Sequence, residues 1–138
     1  MKCLEFSIRM MSDLLFVYGA LRKGASNNWR MEGACCLGSA EVLGMLVKID
    51  WYPGLVLKGD TRVKGEVYEV GADLLKKLDK FEGIGSQDEV EAEYHRIRID
   101  VSLREEPTKA WVYEWLKGIE DYEVVHSGDW LSAMESDA

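Results

Sequence analysis

Glu82 is the ionisable residue whose spacing most clearly points to chemistry. It falls four residues after Leu78 and seven after Leu75, so in a helix its carboxyl shares the apolar stripe that turns toward the core. Gly83 follows it as a helix stop, which sets Glu82 at the negative end of the helix dipole. Desolvation and the dipole both disfavour the carboxylate and raise its pKa above the ordinary value of about 4.3. A carboxyl so placed can take and return a proton near neutral pH. The same position also suits a glutamate that swings out to water at a frayed helix end. Nothing in the spacing of Glu66, Glu69 and Asp79 forces them inward.

A second chemical feature is the stretch LLFVYGALRKG, Leu14 to Gly24. Its apolar residues, Leu14 to Tyr18, predict a short strand buried on both faces. Gly19 then permits a turn that can aim successive N–H groups at one spot. An anionic ligand group would suit that cluster, with Arg22 and Lys23 close by, although an ordinary strand end with solvated basic residues has the same composition. A nucleophilic reading would pair Cys35 or Cys36 with His95 or His126. No helix start or neighbouring cation marks either thiol for a low pKa. Trp111, Tyr113, Trp115 and Trp130 could stack on a ligand, though aromatics at period two on a strand also build cores.

The elements that must position these groups are legible in outline. Residues 25–30 are polar, and Ser26, Asn27 or Asn28 could cap a one- or two-turn helix beginning near Trp29. Gly38 to Ile49 reads as a long strand bent at glycine, the kind of strand that closing a barrel requires. Trp51 to Gly54 predicts a turn, Leu55 to Leu57 a short strand, and Val63 to Val70 another. Ala72 to Gly83 is the clearest helix, with Leu74, Leu75, Leu78 and Phe81 gathered on one side. Residues 84–93 form an acidic loop. Tyr94 to Leu103 alternates strictly and predicts a strand. After a turn at Glu105-Glu106-Pro107, Ala110 to Leu116 is a further strand. Many strands beside one strong helix predict an α+β fold, a small, partly closed mixed β-barrel with short flanking helices.

Composition narrows the class. The 138 residues suit one domain, 1–138, with 1–12 as a loose N-terminal arm and 131–138 as a tail. A net charge of −8, with no stripe among the 17 Lys and Arg, argues against nucleic acid. No apolar run approaches the roughly 18 residues that would span a bilayer, so no membrane partner is expected. Three cysteines, two of them adjacent, suit neither a disulfide framework nor a zinc site. They read as free thiols in a reducing, cytoplasmic setting. No metal and no cofactor is expected, and oligomeric state is not readable.

Seven segments in order carry a family likeness: VYGALRKG (17–24), YPGLVL (52–57), VKGEVYEV (63–70), LDKFEG (78–83), YHRIRIDV (94–101), AWVYEW (110–115) and SGDW (127–130). Together they resemble the γ-glutamylcyclotransferase-like superfamily, in its AIG2-like and γ-glutamylamine cyclotransferase-like branch. The likeness runs from Leu14 to Trp130. It implies a β-barrel with flanking helices and a reaction in which a γ-glutamyl amide cyclises to 5-oxoproline, releasing an amine. The resemblance places the family's strand-end motif on Tyr18, Gly19, Ala20 and Leu21, whose backbone amides would hold the glutamyl part. Its acid/base glutamate falls on Glu82, and Tyr94 and Arg96 match its Y-x-R pattern as pocket or supporting residues. Ala20 departs from the family's Ser or Thr, which removes a hydroxyl but leaves backbone contacts. The partner implied is a small γ-glutamyl compound. A non-catalytic member that binds a metabolite or protein would share the fold. If the acidic loop, with Asp88, Glu89, Glu91 and Glu93, borders the pocket, it would favour a cationic leaving amine; otherwise it is a solvated loop.

Overall fold

In the computed structural model, which describes residues 12–84 and 92–136, the apolar run forms strand β1 (Ser12–Val17). Its side chains alternate between two cores. Leu15 and Val17 join one cluster and Phe16 the other, all essentially inaccessible to water. This two-sided burial is why the run shows no polar alternation.

Five further strands complete a mixed sheet: β2 (Cys35–Lys48), β3 (Pro53–Gly71), β4 (Tyr94–Leu103), β5 (Glu106–Trp115) and the short β6 (Glu123–Val124). Their order is β3-β1-β5-β4-β2-β6, and an additional β3–β2 pairing bends five of them into a ring. Thirteen residues of β2 pair with β3, whereas β2 meets β4 only at Ala40–Leu103 and Glu41–Ser102. The ring is therefore partly closed. All pairings are antiparallel except β1 with β5, which run parallel at Leu15 and Trp111. Register shifts at Cys36/Gly38 and Gly44/Met45 bend β2, as its glycines predict. Phe16, Val42, Leu46, Leu55, Val67 and Val112 fill the ring interior. The α+β, partly closed barrel expected from the sequence is the architecture observed.

Helix α1 (Ala72–Phe81) follows β3 directly and ends with Glu82 as its C-cap. Leu75 and Leu78 are its buried residues, packed in the cluster that holds Leu15 and Val17. Burying each such side chain stabilises by about 1.5–3 kcal/mol, so the apolar stripe locks the helix onto the outer face of β1. Gly83 adopts φ +80, the left-handed conformation that ends a helix at little cost. As a result the C-terminus of α1 arrives beside the end of β1.

Four expectations need correction. The two runs at 55–57 and 63–70 belong to one strand, because β2 pairs from Met45–Val56 on one side and from Gly44–Thr61 on the other. Residues 57–60, Leu57 to Asp60, are the bulge between them. The β4–β5 turn falls at Arg104 and Glu105, both at positive φ, with Leu103 opposite Glu106. Such two-residue turns match the twist of the strands they join, and Pro107 then lies inside β5. The 3₁₀ turn Asn28–Met31 has no side-chain cap, since Asn27 Oδ1 accepts instead from Arg30 Nε at 3.0 Å. Finally, residues 131–136, expected as tail, belong to helix α2 (Trp130–Ser136); Trp130 is buried in the ring cluster and Ala133 and Met134 pack against it. The proposed N-terminal arm up to residue 11 lies outside the described residues.

Candidate active site

Where the end of β1 meets the end of α1, a pocket of about 370 Å³ opens. Phe16, Val17 and Tyr18 line it from the end of β1, and Phe81, Glu82 and Gly83 from the end of α1. Gly19, Ala20, Leu21, Tyr94 and Tyr113 also face it. Of the residues singled out in the sequence, Tyr18, Gly19, Ala20, Leu21, Glu82 and Tyr94 thus meet at one place, and Arg96 does not reach it.

The turn after β1 is held from outside the pocket. Arg22 N–H donates to Gly19 O at 3.0 Å, Asn27 N–H to Ala20 O at 2.8 Å, and Asn28 Nδ2 to Leu21 O at 3.0 Å. The carbonyls are thereby occupied, while the N–H groups of Gly19, Ala20 and Leu21 donate to no acceptor among the described residues. A Cβ on Gly19 would stand 2.5 Å from Pro53 Cγ, so glycine is required for the turn to lie against that ring. Pro53 is fixed in turn by Tyr94, whose hydroxyl donates to Pro53 O at 2.6 Å. Tyr18 donates to Tyr113 O at 2.5 Å. Burial, reinforced by the Glu82 charge, holds the Tyr18 phenol neutral.

Glu82 N–H bonds Leu78 O at 2.9 Å and closes the helix, so its side chain leaves from the last turn into the pocket. Burial pushes its pKa up to about 7. The Arg30 guanidinium pulls the other way, and Glu93 and Asp79 add to the rise. The carboxyl is poised to exchange a proton at neutral pH. Arg30 itself is stacked on Phe81, 3.9 Å from the ring centroid, and on Trp29 at 4.3 Å.

Arg96 supports the pocket from behind. Its Nε and one terminal nitrogen grip Asp79 at 2.7 and 3.1 Å, and its guanidinium lies over Trp111 at 4.1 Å. Tyr113, the cross-strand partner of Arg96, donates to the same Asp79 oxygen at 2.8 Å. Asp79 therefore ties α1 to β4 and β5, three residues ahead of Glu82. Its spacing, four residues after Leu75, puts it beside the apolar stripe without forcing it inward; Arg96 and Tyr113 supply the contacts that hold it there.

Arg22 corrects another expectation. Far from facing a ligand, it is buried and paired with Glu66 at 2.8 Å and Asp129 at 2.9 Å. Glu66 also accepts the Lys23 N–H at 3.0 Å. The thiol–imidazole arrangement does not assemble: His95 Nε2 is 2.7 Å from Glu114 Oε1, and neither histidine contacts a cysteine among the described residues. Cys36 is an exposed free thiol, Cys35 is not free, which corrects the reading of three free thiols, and Cys3 lies outside the described residues. Trp115 and Trp130 are core. Tyr113, one of the aromatics read from the sequence as able to stack on a ligand, lines the pocket, as do Trp51, Tyr52 and Pro53 at the β2–β3 turn. Among the described residues no group of three or more His, Cys, Asp or Glu is placed to hold a metal ion.

Residues 15–132 match the family model described as gamma-glutamyl cyclotransferase, AIG2-like. The chain belongs to this family. Among its relatives, the gamma-L-glutamyl-butirosin B gamma-glutamyl cyclotransferase of Niallia circulans is 33% identical over 88% of this chain and 78% of its own. The family protein YtfP of Escherichia coli is 32% identical over 85% of this chain and 95% of its own. The crystal structure of PH0828 from Pyrococcus horikoshii superposes with a TM-score of 0.70 at 28% identity, covering 91% of this chain and 96% of that one. A γ-glutamyl cyclotransferase-like chain thus presents one pocket at the strand–helix junction, with Glu82 on its wall.

Proposed function

We propose that this protein is an enzyme that cyclises a γ-glutamyl amide to 5-oxoproline and releases the free amine, with Glu82 as general acid and base. The observation that carries the reading is the meeting, in one pocket, of a carboxyl with pKa about 7 and a turn, 19–21, with free N–H groups. The substrate α-amine is mostly ammonium at neutral pH, with a pKa of about 8. Glu82 removes its proton, and the amine nitrogen attacks the γ-carbonyl carbon. The tetrahedral adduct collapses as the bond to the leaving nitrogen breaks, and Glu82 returns the proton to that nitrogen. The attacking nitrogen loses a second proton as it becomes the lactam N–H, and Glu82 passes that one to the departing amine as well, so the amine leaves as an ammonium, the Glu82 carboxylate is regenerated, and two protons taken and two given back balance the step without another reagent. The N–H groups of Gly19, Ala20 and Leu21 hold the glutamyl part in a ring-closing geometry and offset developing negative charge. Tyr94 and Tyr113 shape the cavity, with Arg96 acting on it through Asp79.

Glu82→Gln keeps the volume but cannot exchange a proton. Release of 5-oxoproline from γ-glutamyl amines should fall by roughly 10² to 10⁴, with a melting temperature no lower than that of wild type. A variant that folds and turns over at the wild-type rate removes Glu82 from the mechanism and favours a binding protein on the same fold.

A further inference from the structure

The first part of β3 forms a wall of the pocket with a neighbouring strand along one edge. Among the described residues, Pro53 to Val56 pair with β2, and β1 joins β3 only from Glu66 onward. Alternate residues of a strand present their N–H and C=O to the same edge, so Pro53, Leu55 and Leu57 share the edge turned away from β2. Side chains meet these groups instead of a strand. The Tyr94 hydroxyl donates to Pro53 O at 2.6 Å. Tyr18 meets the Leu55 backbone: burial and the Glu82 charge raise the pKa of its phenol, and a hydrogen bond with that backbone lowers it. Leu57 N–H donates to Glu114 Oε2 at 2.8 Å. The other Glu114 oxygen is 2.7 Å from Nε2 of His95, its cross-strand partner; the carboxylate is mostly buried and the imidazole partly exposed.

Tyr18 and Tyr94 belong to the pocket lining, whereas Glu114 and His95 do not. By alternation they stand on the face of the β4–β5 pair opposite to Tyr94 and Tyr113, the face that turns Ile97 and Val112 toward the ring interior. The proposed reaction makes no use of them. We infer that Glu114, oriented by His95, is a positioning residue that completes the open edge of residues 53–57 and so fixes the wall on which the turn 19–21 rests. Packing sets the near end of that wall. A Cβ on Gly19 would stand 2.5 Å from Pro53 Cγ, and one on Gly54 would stand 2.8 Å from Trp115 Cγ, so a small shift of the strand moves the turn with it. Glu114 holds the far end, at Leu57, where the bulge interrupts pairing with β2. Without that acceptor the strand can shift at the bulge and draw Pro53 away from Gly19. The inference rests on the proposed reaction for the role of the turn in holding the substrate.

The test compares the full chain with Glu114→Ala, which removes the acceptor, Glu114→Gln, whose amide oxygen restores one, and His95→Ala. Should Glu114→Ala not fold, Glu114→Met, which keeps the length and cover of the side chain, takes its place. Amide exchange followed by NMR reads the wall directly. In Glu114→Ala the Leu57 N–H should exchange about tenfold faster or more, the Val56 N–H, on the edge facing β2, should keep its protection, and the Gly19 amide resonance should move. With a γ-glutamyl amine as substrate, kcat should fall about 5- to 30-fold while KM stays within about threefold, because a displaced wall spoils the ring-closing geometry more than it weakens binding. Glu114→Gln should recover most of both losses, and His95→Ala should show the same changes at a few-fold. Wild-type exchange of Leu57 in Glu114→Ala overturns the inference, as does faster exchange that leaves the Gly19 resonance and kcat in place, or a loss that Glu114→Gln does not repair. Wild-type behaviour of His95→Ala overturns the part given to His95. If the wild type itself releases no 5-oxoproline, the proposed reaction fails, while the Leu57 exchange and the Gly19 resonance still decide whether Glu114 fixes the wall.

Discussion

At the scale of single residues, the state of Glu82 couples function to stability. Its folded pKa of about 7 lies above the ordinary 4.5, so the folded protein binds its proton more tightly than the unfolded chain does. The corresponding stabilisation is fully present below about pH 4.5 and is lost as pH rises to about 7. Glutamine at this position titrates nowhere in that range. The difference in melting temperature, Glu82→Gln minus wild type, should therefore grow in favour of the variant between pH 4.5 and pH 7 and then level off. A difference that stays flat across this window would mean that the carboxyl is not desolvated in the folded protein. Gly19 belongs at this scale too, because its missing side chain sets how closely the turn approaches Pro53.

At the scale of elements, the pocket depends on how the end of β1 is anchored. Arg22 joins Glu66 on β3 to Asp129, and Asp129 in turn accepts the Ser132 N–H at 3.3 Å in the first turn of α2. The chain after β1, the wall strand β3 and the C-terminal helix thus share one buried cation. Removing Arg22 would leave the Glu66 carboxylate buried without its counter-charge, and that arrangement costs about 3–5 kcal/mol. Arg22→Ala should lower stability in urea by that amount. Arg22→Ala/Glu66→Gln should recover part of it, because the uncompensated charge is gone. A single variant as stable as wild type would show that the network does not hold the turn. The Asp79 network acts in parallel, since it presses α1 onto β4 and β5 through Arg96 and Tyr113.

At the scale of the whole molecule, the ring of strands serves as a rigid frame and α1 as the arm that delivers one acid to its rim. The proposed reaction draws on proton transfer and backbone N–H donors, both supplied by the chain itself. Turnover should accordingly be unchanged after exhaustive chelation. Loss of 5-oxoproline release on chelation, with recovery on adding a divalent ion, would contradict the mechanism. No helix among the described residues is long and apolar enough to cross a membrane.

What the amino-acid sequence determined by itself was set by local periodicity. The run Leu14 to Tyr18, helix α1 with its stop at Gly83, and strand β4 follow from spacing that each segment carries alone, whereas spacing left Glu82 open between the core and solvent. Motif order was enough to bring Tyr18, Gly19, Ala20, Leu21, Tyr94 and Glu82 to one pocket. Other decisions required distant partners. Residues 53–71 became one strand because β2 pairs with both of its halves across a bulge. Trp130 became core because the ring interior received it. Arg22 and Arg96 carry the same charge on paper, yet both are consumed by carboxylates 44 and 17 residues away. Trp51, Tyr52 and Glu93 line one pocket only because the β2–β3 turn and the residue before β4 are brought together there. Contacts between residues far apart in the chain leave no periodic trace within either segment, and it was tertiary packing that decided them.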